Sequence, residues 1–164
     1  MTEKTIIGRN ATVDFIDEVF DVPATVDTGA DSSAVWATDI FVDDEHRLHY
    51  KLFGKKSPYY TGKEHIVSEY SVASTRSSLG NTMIKFRVKM LVKIGDRKVR
   101  ASFGLSDRSM HNYPILIGRR TLHGRFLVDV EESCVDLEHK REKSQKLNVE
   151  LKKNPRDFYK KYFN

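Results

Sequence analysis

Between Phe86 and Phe103 apolar side chains fall on every second position, as Phe86, Val88, Met90, Val92 and Ile94, then Val99, Ala101 and Phe103. The two runs are split by Gly95-Asp96, a pair suited to a tight reversal. A period of two is the signature of a strand with one face buried, and a helix could not gather these residues on one side. The rest of the chain repeats the pattern in shorter pieces, rich in β-branched and aromatic residues and separated by Gly, Asn, Asp and Ser. Strands are expected at 5–8, 12–16, 24–26, 33–36, 48–53, 64–73, 82–94, 98–105, 115–117, 126–130 and 134–137. Helix is expected only as a short turn at 119–123 and as a terminal segment at 156–163, with Pro155 opening it. The chain therefore reads as mainly β.

With 164 residues, 39% of them hydrophobic, the chain is long enough for one core without covalent staples. The single cysteine, Cys134, forms no intrachain disulfide, and no apolar run approaches the length that spans a bilayer. A soluble protein of the cytoplasm, with no membrane partner, is the expectation. The net charge is +5, and residues 138–164 hold all of it, with nine Lys and Arg against four acids. Residues 1–137 balance to zero. Two regions follow: a folded domain at 1–137 and a basic, partly helical tail at 138–164.

The residues that carry chemistry are Asp27, Thr28 and Gly29, followed by Ala30 and Asp31. An acid entered from an apolar strand and followed by Gly sits in a tight loop where the backbone approaches closely and the Thr hydroxyl can brace the turn. An ordinary Asp-Gly turn is the bland alternative. About 85 residues on stands Tyr113-Pro-Ile-Leu-Ile-Gly118-Arg-Arg-Thr-Leu122, an apolar strand ending in Gly and entering a short helix.

Asp27-Thr-Gly-Ala together with Leu116-Ile-Gly118 resembles the retropepsin-like aspartic proteases. Within them the chain is most similar to the bacterial family often labelled "ATP-dependent zinc protease", companions of the ribosomal-protein glutamate ligase. The likeness runs from about Ile6 to Leu137, through Thr25 to Ala34, Gly104-Leu-Ser-Asp-Arg108, 114–122 and Gly124-Arg-Phe-Leu-Val-Asp129. Asp31 and Val35-Trp36-Ala37 depart from the family pattern, which has Arg after the Ala and Leu-His-Ala further on. The resemblance implies a small closed acid-protease barrel, Asp27, Thr28 and Gly29 as the catalytic tripeptide, and an acidic, glutamate-rich peptide or protein as substrate, a ribosomal protein among the candidates.

An aspartic protease needs two carboxylates that share one proton. The chain holds one Asp-Thr-Gly, so a two-fold homodimer is expected to bring two Asp27 side chains together. Asp31 is the alternative partner within one chain. Ala30, Asp31, Arg119, Arg120, Arg76 and Arg108 are candidate substrate-binding residues, the arginines because a guanidinium grips a carboxylate through two hydrogen bonds. Arg125 is a further candidate, and each arginine has a plain alternative as a fold brace. The loop 53–62, with its glycines and tyrosines, is a candidate flap, with a surface hairpin as the alternative.

No cofactor is expected. The chain has neither a His-Glu-x-x-His nor a nucleotide-binding Gly-x-x-x-x-Gly-Lys, and only His46 and His49, beside Asp43, Asp44 and Glu45, have ligand-like spacing among six histidines. A competing class is a non-enzymatic β-barrel module that binds an anionic partner, ribosomal RNA or a ribosomal protein, through the tail. Its Phe158, Tyr159, Tyr162 and Phe163 alternate with basic residues as base-stacking surfaces do, although their helical spacing favours packing on protein over nucleic acid.

Overall fold

The computed structural model describes residues 3–77, 79–134 and 138–163. Its elements are β1 (Thr5–Ile7), β2 (Asn10–Phe15), β3 (Val19–Val26), β4 (Ser33–Val42), β5 (Leu48–Leu52), β6 (Glu64–Val67), β7 (Ser71–Arg76), β8 (Thr82–Ile94), β9 (Arg97–Ser106), β10 (Ile115–Ile117), α1 (Arg119–Leu122), β11 (Phe126–Val128), α2 (Glu138–Lys153) and α3 (Pro155–Phe163). The strand expected at 134–137 lies, past Cys134, outside the described residues. The chain divides into two compact units, Met1–Cys134 and Val135–Asn164.

The first unit is a closed barrel. Hydrogen-bonded neighbours run β10-β3-β2-β8-β9-β4, and β4 then pairs with β10 to shut the ring. The alternation at 86–103 decides which face turns inward. Val88, Val92, Ile94, Val99, Ala101 and Phe103 are buried, while Lys89, Leu91, Lys98, Arg100 and Ser102 stay exposed. Val13, Val22, Val35, Ile115 and Ile117 complete the interior with no measurable exposure. Each such side chain stabilises the fold by about 1.5–3 kcal/mol relative to leaving it in water. The reversal at Gly95 has φ +56°, a conformation that glycine adopts without steric cost.

Three differences from the expected elements have local causes. The run 64–73 is two strands, because β6 pairs with β5 whereas β7 pairs with β8, and the Tyr70 hydroxyl pins the bend between them by donating to the His46 carbonyl at 2.8 Å. β4 extends beyond Trp36 to Val42, carried by its antiparallel pairing with β5. Residues 138–153, read as charged tail, form a helix with no clear apolar stripe, and its sequence instead places Glu142, Lys146 and Glu150 four residues apart.

In the second unit, Asn154 caps α3, its side-chain oxygen accepting from the Asp157 N–H at 3.2 Å. Lys161 and Tyr162 then reach back to the two carboxylate oxygens of Glu150 at 2.7 and 2.9 Å, folding α3 along α2. These bonds hold the Glu150 carboxyl below its usual range and raise the Lys161 ammonium. Among the described residues no helix is long and apolar enough to cross a membrane.

The histidine cluster has a structural task. His49 is nearly buried between two carboxylates, its Nε2 2.7 Å from Asp43 Oδ2 and its Nδ1 3.1 Å from Glu64 Oε1, with Phe41 stacked on its ring at 4.4 Å. The imidazole thus ties the β4–β5 turn to β6. The bond to Asp43 raises the His49 pKa above its usual 6.5, and that bond, with those from Arg47, holds Asp43 well below 3.8. The signs of the two contributions differ. A histidine raised in the folded state stabilises fully below 6.5 and loses that contribution as pH rises through its folded value. A depressed aspartate stabilises above 3.8 and loses its contribution as pH falls through its own folded value. Urea unfolding of the protein and of His49→Gln should therefore show a stability difference that is largest at about pH 4–6 and shrinks steadily above that window. A difference that is constant from pH 5 to pH 9 would contradict the pairing.

Candidate active site

Asp27 is the first residue beyond β3. β3 runs parallel to β10 with Val26 opposite Ile117, and the Asp27 N–H donates to the Ile117 carbonyl at 2.9 Å. The strand carrying the acid and the strand ending in Gly118 thus leave the barrel side by side. The loop then curls back on its own carboxylate. The N–H groups of Gly29 and Ala30 donate to Asp27 Oδ1 at 2.9 and 3.2 Å. One oxygen is fixed by backbone, and Oδ2 is taken up by none of the described residues. Asp27 is half-buried, whereas Thr28 and Gly29 are exposed.

The Gly118 turn is locked into this loop. A Cβ at position 118 would lie 2.5 Å from the Ser32 carbonyl oxygen and 3.0 Å from that of Ala30, closer than any side chain tolerates. The Arg119 N–H donates to the Ala30 carbonyl at 2.8 Å and the Arg120 N–H to the Asp31 carbonyl at 3.1 Å. Beneath them the buried Ser33 hydroxyl accepts the Gly118 N–H at 3.0 Å and lies 2.6 Å from the buried Thr121 hydroxyl. Ser33 and Thr121 were not among the sequence candidates. The available signal was a polar residue at an inward position, since Ser33 alternates with the buried Val35 and Ala37.

The candidate arginines separate. The Asp31 carboxylate meets Arg120 Nη2 at 3.0 Å and Arg119 Nη2 at 3.7 Å, and Arg119 Nη1 donates to the Gly29 carbonyl at 3.1 Å. All three side chains are exposed, so each pair is worth little by itself, but together they bracket the Asp27 loop. Asp31 is directed to these cations. Arg87, absent from the sequence candidates, reaches across β9 from β8 and donates to the Ser32 hydroxyl. Arg76 is exposed at the end of β7. Arg108 is buried and donates through Nε to the Tyr113 carbonyl at 3.0 Å, so it braces the turn 107–113, and burial lowers its pKa.

The expectation of a flap at 53–62 is corrected. Phe53 is fully buried against Phe15, Gly54 lies under the Trp36 ring, and Thr61 donates to Glu18 at 2.9 Å, so this loop is tied down at both ends. The free element is the β7–β8 hairpin. From Thr82 to Phe86 β8 pairs with β7 alone, and only from Arg87 onward does it gain β9. The hairpin exposes Val72, Leu79, Met83 and Ile84. Among the described residues no three His, Cys, Asp or Glu side chains converge to hold a metal ion.

A closed, mainly β barrel that presents one Asp-Thr-Gly loop locked against an apolar-Gly turn defines the retropepsin-like class. A family model described as RimB-like, retropepsin-like aspartic endopeptidase RimB, matches residues 6–139, and the chain belongs to that family. No curated protein matches it. A solved structure from Legionella pneumophila subsp. pneumophila str. Philadelphia 1, the protein Lpg0085 of unknown function (DUF785), is similar with a TM-score of 0.60 and 21% identity over 80% of this chain and 97% of that one. At that identity the likeness speaks for the fold.

Ser33→Ala leaves the Gly118 N–H and the Thr121 hydroxyl without their partner in a buried place. Urea unfolding should show a loss of about 1–3 kcal/mol. Thr121→Ala, which removes a hydroxyl but leaves the Ser33 bond to Gly118 intact, should cost less. Equal stability of all three proteins would mean that the buried network does not hold the loops.

Proposed function

We propose that the chain is an aspartic endopeptidase that acts as a two-fold homodimer on acidic peptides. The observation that carries this reading is the Asp27 carboxylate, held at one oxygen by two backbone N–H groups in a loop whose next two residues are exposed. One chain supplies one such acid. Asp31, the candidate for a second carboxylate in the same chain, is engaged by Arg119 and Arg120, so a second copy is the natural source.

Support for a dimer comes also from the ribbon formed by β1 and β11. Ile6 and Leu127 are paired in register there, and both are exposed, at 61% and 52%. Large apolar side chains side by side on a two-stranded edge fit an isologous contact with another copy.

In the dimer one carboxylate is ionised and the other protonated, because two negative charges at contact distance repel. The ionised Asp27 takes a proton from water as the oxygen attacks the scissile carbonyl, while the protonated partner's Asp27 donates a hydrogen bond to that carbonyl. The amide nitrogen then takes that proton from Asp27 and leaves as the C–N bond breaks, which restores the carbonyl in the carboxyl product. The β7–β8 hairpin, with exposed Val72 and Ile84, is suited to close over the peptide and exclude water. Arg119 and Arg120 beside the loop, and Arg76 at the hairpin end, favour acidic side chains; a glutamate-rich segment of a ribosomal protein is the substrate to try first.

Asp27→Asn keeps the shape of the side chain and removes its basicity, so hydrolysis of a glutamate-rich peptide, followed by mass spectrometry, should vanish while the circular dichroism spectrum is unchanged. Mixing wild-type and Asp27→Asn chains should lower activity further than dilution does, since each mixed dimer has lost one acid. Activity that survives in the variant, or that a chelator removes from the wild type, would overturn the mechanism.

A further inference from the structure

A groove runs along the outer face of β8 and β9. Arg87, Lys89, Arg100 and Ser102 form its floor, and residues 67–71 form its far wall. Toward the active site the same floor continues as a second depression, bounded by Ser32, Arg120 and Arg125. Five cationic side chains therefore line one continuous path. Of the acids nearby, Glu69 lies at the far wall and Asp31 is paired with Arg119 and Arg120. Among the described residues, no carboxylate pairs with Arg87, Lys89, Arg100 or Arg125. This concentration of charge stands on a domain whose residues 1–137 balance to zero.

We propose that this groove binds the acidic flank of an extended peptide whose scissile bond lies at Asp27. The proposal rests on the protease reading for its direction and adds a second, separate binding site to it. Three observations favour this occupant. Arg87 and Lys89 are alternate residues of β8, and Arg100 stands opposite Leu91, diagonal to Lys89 on the same face. Alternate residues of a strand are about 6.8 Å apart, which is also the repeat of same-side carboxylates on an extended acidic peptide. Arg87 is hydrogen-bonded to Ser32, five residues beyond Asp27, so the floor of the groove joins the catalytic loop without interruption. A nucleic acid would gain little there. Among the described residues that line the groove, the one aromatic is Tyr70, whose hydroxyl is bonded to His46 and whose ring packs edge-on to Phe86, so no row of aromatic platforms is offered to bases.

The test uses the full chain carrying Asp27→Asn, so that the probe is not cut, and the fluorescence anisotropy of a labelled ten-residue oligoglutamate at low salt. Lys89→Ser with Arg100→Ser should weaken binding about tenfold, the sum of two exposed charge contacts. Lys89→Arg with Arg100→Lys should retain it. The control is Lys93→Ser with Lys98→Ser, which removes the same charge from a cross-strand pair further along the same hairpin and should change affinity less than twofold. In the otherwise wild-type enzyme, the Lys89 and Arg100 substitutions should slow cleavage of long glutamate-rich peptides and leave kcat/KM for short ones unchanged. Equal weakening by the Lys93 and Lys98 control would overturn the groove in favour of a diffuse field. Tighter binding of an RNA oligomer of matched charge, lost with the same two residues, would overturn the peptide as occupant. Oligoglutamate binding that needs Lys89 and Arg100 in a chain that hydrolyses nothing would keep the groove and sink the protease reading.

Discussion

Everything about the site depends on how closely two stretches of main chain approach one another where Gly118 passes Ser32. At 2.5 Å from the Ser32 oxygen there is no room for a methyl group, and the missing side chain is what lets the backbones exchange hydrogen bonds. Four bonds cross this seam within six residues of the acid: Asp27 to Ile117, Arg119 to Ala30, Arg120 to Asp31, and Gly118 to Ser33. Backbone groups in such a seam have few alternative conformations, so the carboxylate they hold is positioned before any ligand arrives. The barrel serves this end by running β3 and β10 parallel, which delivers both loops at the same height.

The electrostatics around the loop follow from that placement. Backbone amides occupy one oxygen of Asp27, while the arginines next to Gly118 are drawn to Asp31. Farther out, Arg87, Lys89 and Arg100 carry positive charge over the face of β8 and β9. A domain without net charge acquires a directional field by sorting its charges.

The chain announced much of this in advance. The alternation at 86–103 gave β8 to the residue and β9 within one residue at each end, since inward Val, Ile and Phe leave no other solution. The tripeptide at 27–29 and the Gly118 turn were visible because each needs rare residue types in fixed order. What stayed hidden were pairings between distant segments. Nothing in Ser33, Thr121 or Arg87 as letters says that they meet the loop, since each is an ordinary polar residue until the barrel closes. The loop 53–62 misled for a related reason: glycines and tyrosines look mobile in sequence, and only the fold shows Phe53 driven into the core. In α2 the sequence shows charge without an apolar stripe, and the one cue for helix is the i to i+4 spacing of Glu142, Lys146 and Glu150.

One feature of β8 has a mechanical meaning. Over its first five residues the strand pairs with β7 and not with β9, over its last eight it pairs with β9, and Arg87 pairs with both. The hairpin is therefore a cantilever rooted in the barrel wall. Its stiffness comes from the depth of that root, so no special hinge residue is required for the tip to swing. Local stability should be graded along a single strand, with amide hydrogens exchanging fastest near the tip and slowest beyond Val88. Because Arg87 at the root also holds Ser32, a load on the cantilever is delivered at the rim of the Asp27 loop.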